Sequence, residues 1–285
     1  MSEALKIESC RKLYRDIVLG YSPVKNPRCF VKHLREIDLG SIESKSDAVL
    51  EEIKANGIHS EKEVLESLDK RGVWTKKNEE EYFGLIASIK DLEQERKKIV
   101  SRSQAEELLE IIAGRKRELQ EIIIERSGHL RISSEFFLRK KFQQELMKIS
   151  FFKDEDLKEP LYDQETFADL DYKDLIVLFE VFNEVSENLC ELNIKKVSVT
   201  PAFLNTFSLC ESDPYIFYGK PVTELTLHQL DLFNCGKLNK TILEQGNPPP
   251  ENYEDLDKVV LWYDTEMSLL IGRIEKNKRD AAHQH

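Results

Sequence analysis

Residues 75–126 carry two amphipathic helical patterns of similar length, and the short turn Ser101-Arg102-Ser103 between them admits one arrangement, two antiparallel arms in contact. On the first arm Leu85, Ile89, Leu92 and Ile99 follow the alternating four-and-three spacing of a coiled-coil seam, with Arg96 as an interruption. The second arm continues it through Ala105, Leu109, Ile112, Leu119 and Ile123, interrupted by Lys116. Facing residues then have numbers that sum to roughly 204, which sets Lys97 and Lys98 against Glu107 and Glu106. At about 25 residues per arm such a hairpin extends on the order of 35 Å. A hairpin of this kind supplies reach, not chemistry.

A chain of 285 residues can bury a core without metal or disulfide staples. Its apolar fraction of 40% and charged fraction of 33% suit elongated helices better than a deep-pocketed enzyme. A formal net charge of -11 disfavours nucleic-acid binding unless a basic face is segregated. Four basic clusters bear on that: Arg96-Lys97-Lys98, Arg115-Lys116-Arg117, Arg139-Lys140-Lys141 and Lys195-Lys196. No aromatic side chain is interleaved with the first two to stack on bases, so all four read as solvated faces.

Cys10, Cys29, Cys190, Cys210 and Cys235 are odd in number and widely spread, which fits neither a zinc knuckle nor a disulfide framework and predicts buried thiols in a reducing compartment. The polar start of the chain is unlike a signal peptide, and no apolar run is long enough to span a bilayer. A cytoplasmic protein without a membrane partner is expected.

Outside the hairpin, helices are expected over 3–19, ending at Gly20, and over 36–56, ending at Gly57. Between them lie the turn signals of 21–26 and one short strand from Cys29 to Leu34. Ser60-Glu61-Lys62-Glu63 and Ser103-Gln104-Ala105-Glu106 both spell capping boxes. A further helix is expected over 134–150, followed by an acidic, less regular tract over 151–171. The apolar helix over 172–192 carries Leu175, Ile176, Leu178, Phe179, Phe182 and Val185 around so much of its circumference that it reads as a central core element. Thr200-Pro201 and Thr226 open two more helices, the aromatic run Tyr215 to Tyr218 reads as a strand or extended loop, and prolines 248–250 stiffen the approach to a final amphipathic helix. The segments implied are 1–74, 75–126, 127–247 and 248–285. The expected fold is mainly α, a helical bundle with a projecting antiparallel coiled-coil hairpin and at most a small β element.

Chemistry is hard to find. Tyr218-Gly219-Lys220-Pro221 and Cys235-Gly236-Lys237-Leu238 lack the upstream glycine and following hydroxyl of a phosphate-binding loop. His33, His59, His129 and His228 are isolated in sequence, and His283 and His285 lie in a polar tail, so no metal site is expected. The triplet Asp154-Glu155-Asp156 reads as a solvated loop, not an acid-base pair. No catalytic residue and no cofactor is assigned. Two features are candidate partner contacts instead: Tyr215 and Phe217 in the aromatic run, which could dock on a partner or belong to the core or an internal strand, and Trp262, Tyr263, Met267 and Leu270 on the last helix, which could enter a neighbour's groove or pack back on its own chain.

The order of elements then brings a resemblance. Phe30-Val31-Lys32-His33, the glycine-broken charged helices, Gly72-Val73-Trp74-Thr75 leading into the hairpin, and Ser150-Phe151-Phe152-Lys153-Asp154 follow one another. Later come Tyr218-Gly219-Lys220-Pro221-Val222-Thr223-Glu224-Leu225-Thr226, the proline run and Trp262-Tyr263. Together they resemble small virion-associated proteins of contractile-tailed bacteriophages encoded among tail and baseplate genes. The resemblance implies a non-enzymatic tail or baseplate subunit, or an assembly factor, contacting other virion proteins and itself as a homo-oligomer. It also implies residence in the host cytoplasm during assembly and then in the virion. The rival readings are an enzyme with His33 or His228 grouped with carboxylates in a polar pocket, and a nucleic-acid scaffold on which the basic clusters converge.

Overall fold

The computed structural model describes residues 7–96, 98–99, 101–245, 249 and 255–282. The fold is mainly α with one small antiparallel sheet. In chain order the elements are α1 (Ile7–Leu19), β1 (Tyr21–Lys25), β2 (Arg28–Lys32), α2 (Glu36–Glu43), α3 (Ser46–Ala55), α4 (Glu61–Lys70), α5 (Lys76–Arg96), α6 (Arg102–His129) and α7 (Ser134–Ser150). They continue with β3 (Phe151–Phe152), α8 (Gln164–Ala168), α9 (Tyr172–Asn188), α10 (Glu191–Ser198), α11 (Pro201–Leu209), α12 (Pro214–Tyr218), a 3₁₀ turn (Val222–Glu224), α13 (Leu227–Glu244) and α14 (Leu256–Ala282). Two compact units result, one from Met1–Ser44 with Phe142–Trp262 and the other from Lys45–Lys141 with Tyr263–His285. Both are discontinuous in sequence and cut across the four segments expected, because α7 and α14 each give residues to both.

In the first unit α13 is the central helix. Its buried residues Gln229, Leu232, Phe233, Gly236, Asn239 and Ile242 recur every three or four positions and face α1, α10 and α11. Asn239 donates its side-chain amide to the carbonyl and hydroxyl of Ser198, both at 3.0 Å, so its burial leaves the amide satisfied. Gly20, at φ +81°, turns α1 into β1. Strands β1, β2 and β3 form the sheet in that order, with Tyr21 opposite Lys32 and Phe30 opposite Phe152. Residues 21–26 read as turn because of Ser22-Pro23 and Asn26-Pro27. Pro23 is nevertheless accommodated in β1 because β1 is an edge strand, where a missing N–H breaks no ladder. On the far side Phe152 bridges to Pro160. The sheet packs through Cys29, Val31 and Phe151 against Met147, Phe167, Leu178 and Val181.

That packing corrects the expectation for α9. Leu178 and Val181 are buried on the sheet, but Tyr172, Ile176, Val177 and Phe179 are exposed, so α9 is a flank of the core and α13 its centre. Tertiary context decided between two apolar helices that pattern alone could not rank. The helix expected over 36–56 is also two, broken at Ser44-Lys45.

In the second unit the hairpin forms as two antiparallel arms, α5 and α6. Ile89, Ala105, Leu108 and Ile112 are buried between them and their neighbours, while Leu85, Leu92, Leu109, Leu119 and Ile123 are half-buried. Leu108 was outside the expected seam. Ile99 lies in the connection, because α5 ends at Arg96. Helix α6 starts after Ser101, without a side-chain cap, in place of the box expected at Ser103. Opposite charges do meet across the arms, as Lys116 to Glu93 at 2.8 Å and Arg126 to Glu79 at 2.7 Å. Of the pairs expected nearer the turn, Lys97 lies outside the described residues and Lys98 enters no ion pair among them.

Arg126 is the polar hub of this unit. It pairs with Glu79, approaches Glu61 at 3.9 Å and lies over the Tyr82 ring at 5.0 Å. Glu79 also accepts from Trp74 Nε1 at 2.7 Å. The capping box at Ser60 forms as expected, and Glu61 beside it receives Arg139 at 2.8 Å while its N–H donates to Glu135. Loops and helix ends at the base of the hairpin are thus joined by charge-assisted bonds.

Gly236 offers a direct check on the first unit. A Cβ there would sit 2.7 Å from the Phe207 ring and 2.9 Å from Phe203. In a free helix alanine gains about 1 kcal/mol over glycine, but overpacking a tight core costs about 1–3 kcal/mol, and rigid rings leave little room to relax. Gly236→Ala is therefore expected to lower stability by about 1 kcal/mol or more in urea unfolding, where propensity alone forecasts a gain.

Candidate functional site

The outward-facing aromatic turn around α12 has the form of a contact site. Thr200 caps α11 and Pro201 takes its first position. After α11 the backbone passes through Glu211 and Ser212, both left-handed at φ 49° and 60°, a sparsely populated conformation for residues with a Cβ. The Asp213 carboxylate then accepts the Tyr215 N–H at 2.8 Å, with Pro214 at the first helical position. Gly219, at φ +69°, closes the turn by donating its N–H to the Tyr215 carbonyl at 2.8 Å.

These caps are why residues 215–218 form a short helix in place of the strand or extended loop expected from their aromatic content. The consequence is a division of labour. Phe217 points inward, within 5.8 Å of the Phe203 ring, 5.7 Å of Phe207 and 4.7 Å of Tyr218. The Tyr218 hydroxyl donates to the Gln229 carbonyl at 2.9 Å, and burial raises its pKa. Phe217, expected at a partner contact, is therefore an anchor for the turn. Tyr215 and Ile216 face outward at 62% and 58% exposure, and Leu209 at the end of α11 is 83% exposed. A capped, ring-anchored turn loses little freedom on docking, which lowers the entropic cost of contact.

The last helix is different. Leu256, Val259 and Val260 are buried in the first unit, where Asp257 pairs with the buried Lys196 at 2.7 Å. In the second unit Glu266 is buried and meets Arg102. Tyr263 is only 3% exposed, while Trp262, Met267 and Leu270 are half-buried. Of the two alternatives for this helix, packing on its own chain is the one observed, and Tyr263 presents no ring to a partner. Of the proline run, only Pro249 is among the described residues.

The structure does bring two of the isolated histidines together. His33 follows β2 and His228 lies in the first turn of α13, with ring centroids 5.6 Å apart. Ser22 Oγ and His33 Nε2 are 2.9 Å apart, and Ser22 also lines a cavity of about 600 Å³ with Leu13, Asp16, Val24, Val181 and Glu184. A serine beside an imidazole suggests nucleophilic chemistry, in which a hydrogen-bonding group on the far ring nitrogen, most often a carboxylate, orients the base. Here Nδ1 of both histidines is buried and has no hydrogen-bond partner among the described residues. Burial, then the neighbouring His228, pushes the His33 pKa down to about 3. Burial likewise lowers His228, opposed by Asp231. Burial raises the carboxyl of Asp16 against the opposing effect of Arg15. No carboxylate hydrogen-bonds the His33 ring among the described residues. No group of histidine, cysteine and carboxylate side chains among the described residues is arranged to hold a metal ion.

Among the described residues, three of the four basic clusters have members in ion pairs. Arg115 pairs with Glu118, Lys116 with Glu93 and Arg139 with Glu61, each at 2.8 Å. Lys195 pairs with Glu191 at 3.2 Å. Asp154 accepts the N–H groups of Lys158 and Glu159, so the acidic triplet shapes a turn. All five cysteines are thiols, and Cys10, Cys29 and Cys210 are buried as expected, but Cys190 is exposed. Burial pushes the thiols of Cys10 and Cys29 up to about 11. No helix among the described residues is long and apolar enough to cross a membrane.

Comparisons with protein-family models, with curated proteins and with solved structures each find no counterpart. The residues that sequence reasoning missed are Ser22, Gln229 and Arg126. For Gln229 a signal existed, since Thr226-x-x-Gln229 is itself a capping box. For Ser22 and Arg126 the partners are distant in the chain, and no local pattern announces them.

The histidine pair predicts a pH dependence. An unfolded histidine titrates near 6.5 and folded His33 near 3, so the unfolded chain binds more protons between those values. This contribution to stability is complete above pH 6.5 and is lost as pH falls toward 3. Urea unfolding between pH 7.5 and 4.5 should show it, with a flatter profile for His33→Gln.

Proposed function

We propose that this protein is a non-enzymatic structural or assembly subunit that works through protein–protein contacts, and that the assembly it serves is a contractile phage tail or baseplate. The observation that supports the first part is the outward pair Tyr215 and Ile216 on a turn held by caps and inward rings. Large apolar side chains at such a turn supply contact area for little ordering. The hairpin's seam residues Ile89 and Ile112 are buried, as a stiff two-helix element requires. The second part rests on the resemblance carried by the order of sequence motifs. On this reading the protein acts in the host cytoplasm while tails are built and then resides in the virion.

The test is co-sedimentation of the purified chain with individually expressed tail and baseplate proteins. Tyr215→Ala with Ile216→Asp is expected to weaken the productive pairing at least tenfold, while stability stays within about 0.5 kcal/mol because both side chains are exposed. A chain indifferent to every such protein removes the phage assignment. Undiminished binding by the double variant removes α12 from the interface.

A further inference from the structure

Helix α9 carries a second surface, on different residues and independent of the α12 turn. Tyr172, Ile176, Phe179 and Asn183 follow one another at intervals of four, three and four, and at 100° per residue they fall within ~60° of one another on the helix. This is the spacing of a seam that receives another helix. It is separate from the buried row of Leu178 and Val181 that packs on the sheet. Tyr172 is 76%, Ile176 37% and Phe179 40% exposed.

The next row around the helix is acidic. Glu180 and Glu187, one heptad apart, flank the apolar stripe as the charged positions of a coiled coil flank its seam, with Glu184 beside them. All three are exposed and enter no ion pair among the described residues. Lys173 is the one basic residue in the flanking row.

We infer that α9 docks an amphipathic helix of a partner protein, apolar at its seam positions and basic along the flank that meets Glu180 and Glu187. Charge complementarity selects this occupant over a second copy of the chain, because an antiparallel self-pairing that sets Lys173 against Glu187 also sets Glu180 against its own counterpart. The apolar stripe supplies burial and the acidic row supplies register and partner choice.

The probe is a synthetic 21-residue helix with leucine at the seam and lysine at the flanking positions, compared with the same peptide carrying glutamate at the flanks. Binding to the full chain is read by fluorescence anisotropy. The basic peptide should bind at least tenfold tighter than the acidic one. Phe179→Asp should cost at least tenfold in affinity although it makes the chain more acidic, an outcome that general attraction to an acidic protein cannot give. Glu180→Lys with Glu187→Lys should reverse the preference between the peptides while the chain stays net negative.

Circular dichroism confirms that each variant is folded, and the mutated side chains are exposed. Equal binding of both peptides overturns the inference, as does binding insensitive to Phe179→Asp. Dimerisation of the chain itself through this face, seen in sedimentation and abolished by Phe179→Asp, also overturns it. None of these outcomes depends on phage proteins, so the inference and the assembly role fail or stand separately.

Discussion

The first unit depends on how the end of α1 is satisfied. A helix leaves its last carbonyls without partners, and burying them unpaired costs more than a typical hydrogen bond returns. Gln229, fully buried, resolves this by donating its amide to the carbonyls of Ile17 and Val18 at 3.0 and 2.9 Å. Its carbonyl oxygen accepts the Thr226 N–H at 2.9 Å, and the Thr226 hydroxyl in turn caps α13. One side chain therefore finishes one helix and starts another. Gly20 then reverses the chain into the sheet, and His33, whose N–H donates to the Gly20 carbonyl at 2.9 Å, is carried to its place beside Ser22 and His228.

The second unit relies on charge where the first relies on shape. Its hairpin buries few large side chains, and α5 buries Ile89 alone. What fixes its base is the set of bonds around Arg126, whose guanidinium serves Glu79 and Glu61 and covers Tyr82. Partial burial lowers the pKa of that guanidinium, but the hydrogen bond and charge of Glu79 outweigh the effect and the net shift is upward. Part-buried ion pairs of this kind, with several carboxylates on one arginine, contribute more than isolated surface pairs do.

Much of this was legible in local sequence. The hairpin, the helix over 134–150, the cap at Ser60, and the starts at Thr200-Pro201 and Thr226 all follow from residues within four positions of one another. What local pattern misjudged were decisions made by distant neighbours. Apolar content made α9 look central, but the sheet has room for only one of its faces. Aromatic content made 215–218 look extended, although Asp213-Pro214 before it and Gly219 after it spell a short helix. The histidine pair and the Arg126 hub join residues far apart in the chain, which periodicity cannot detect.

Proline closes both margins of the sheet. Pro23 occupies the outer strand on one side, and on the other the bridge from Phe152 runs to Pro160, with the flanking bonds Leu161 to Phe151 and Lys153 to Glu159, each 2.8 Å, occupying what the two-residue strand exposes. An imino acid on each border denies an incoming extended segment the continuous row of amides it would need to zip on. Addition of an extended strand at either border is thereby made unfavourable.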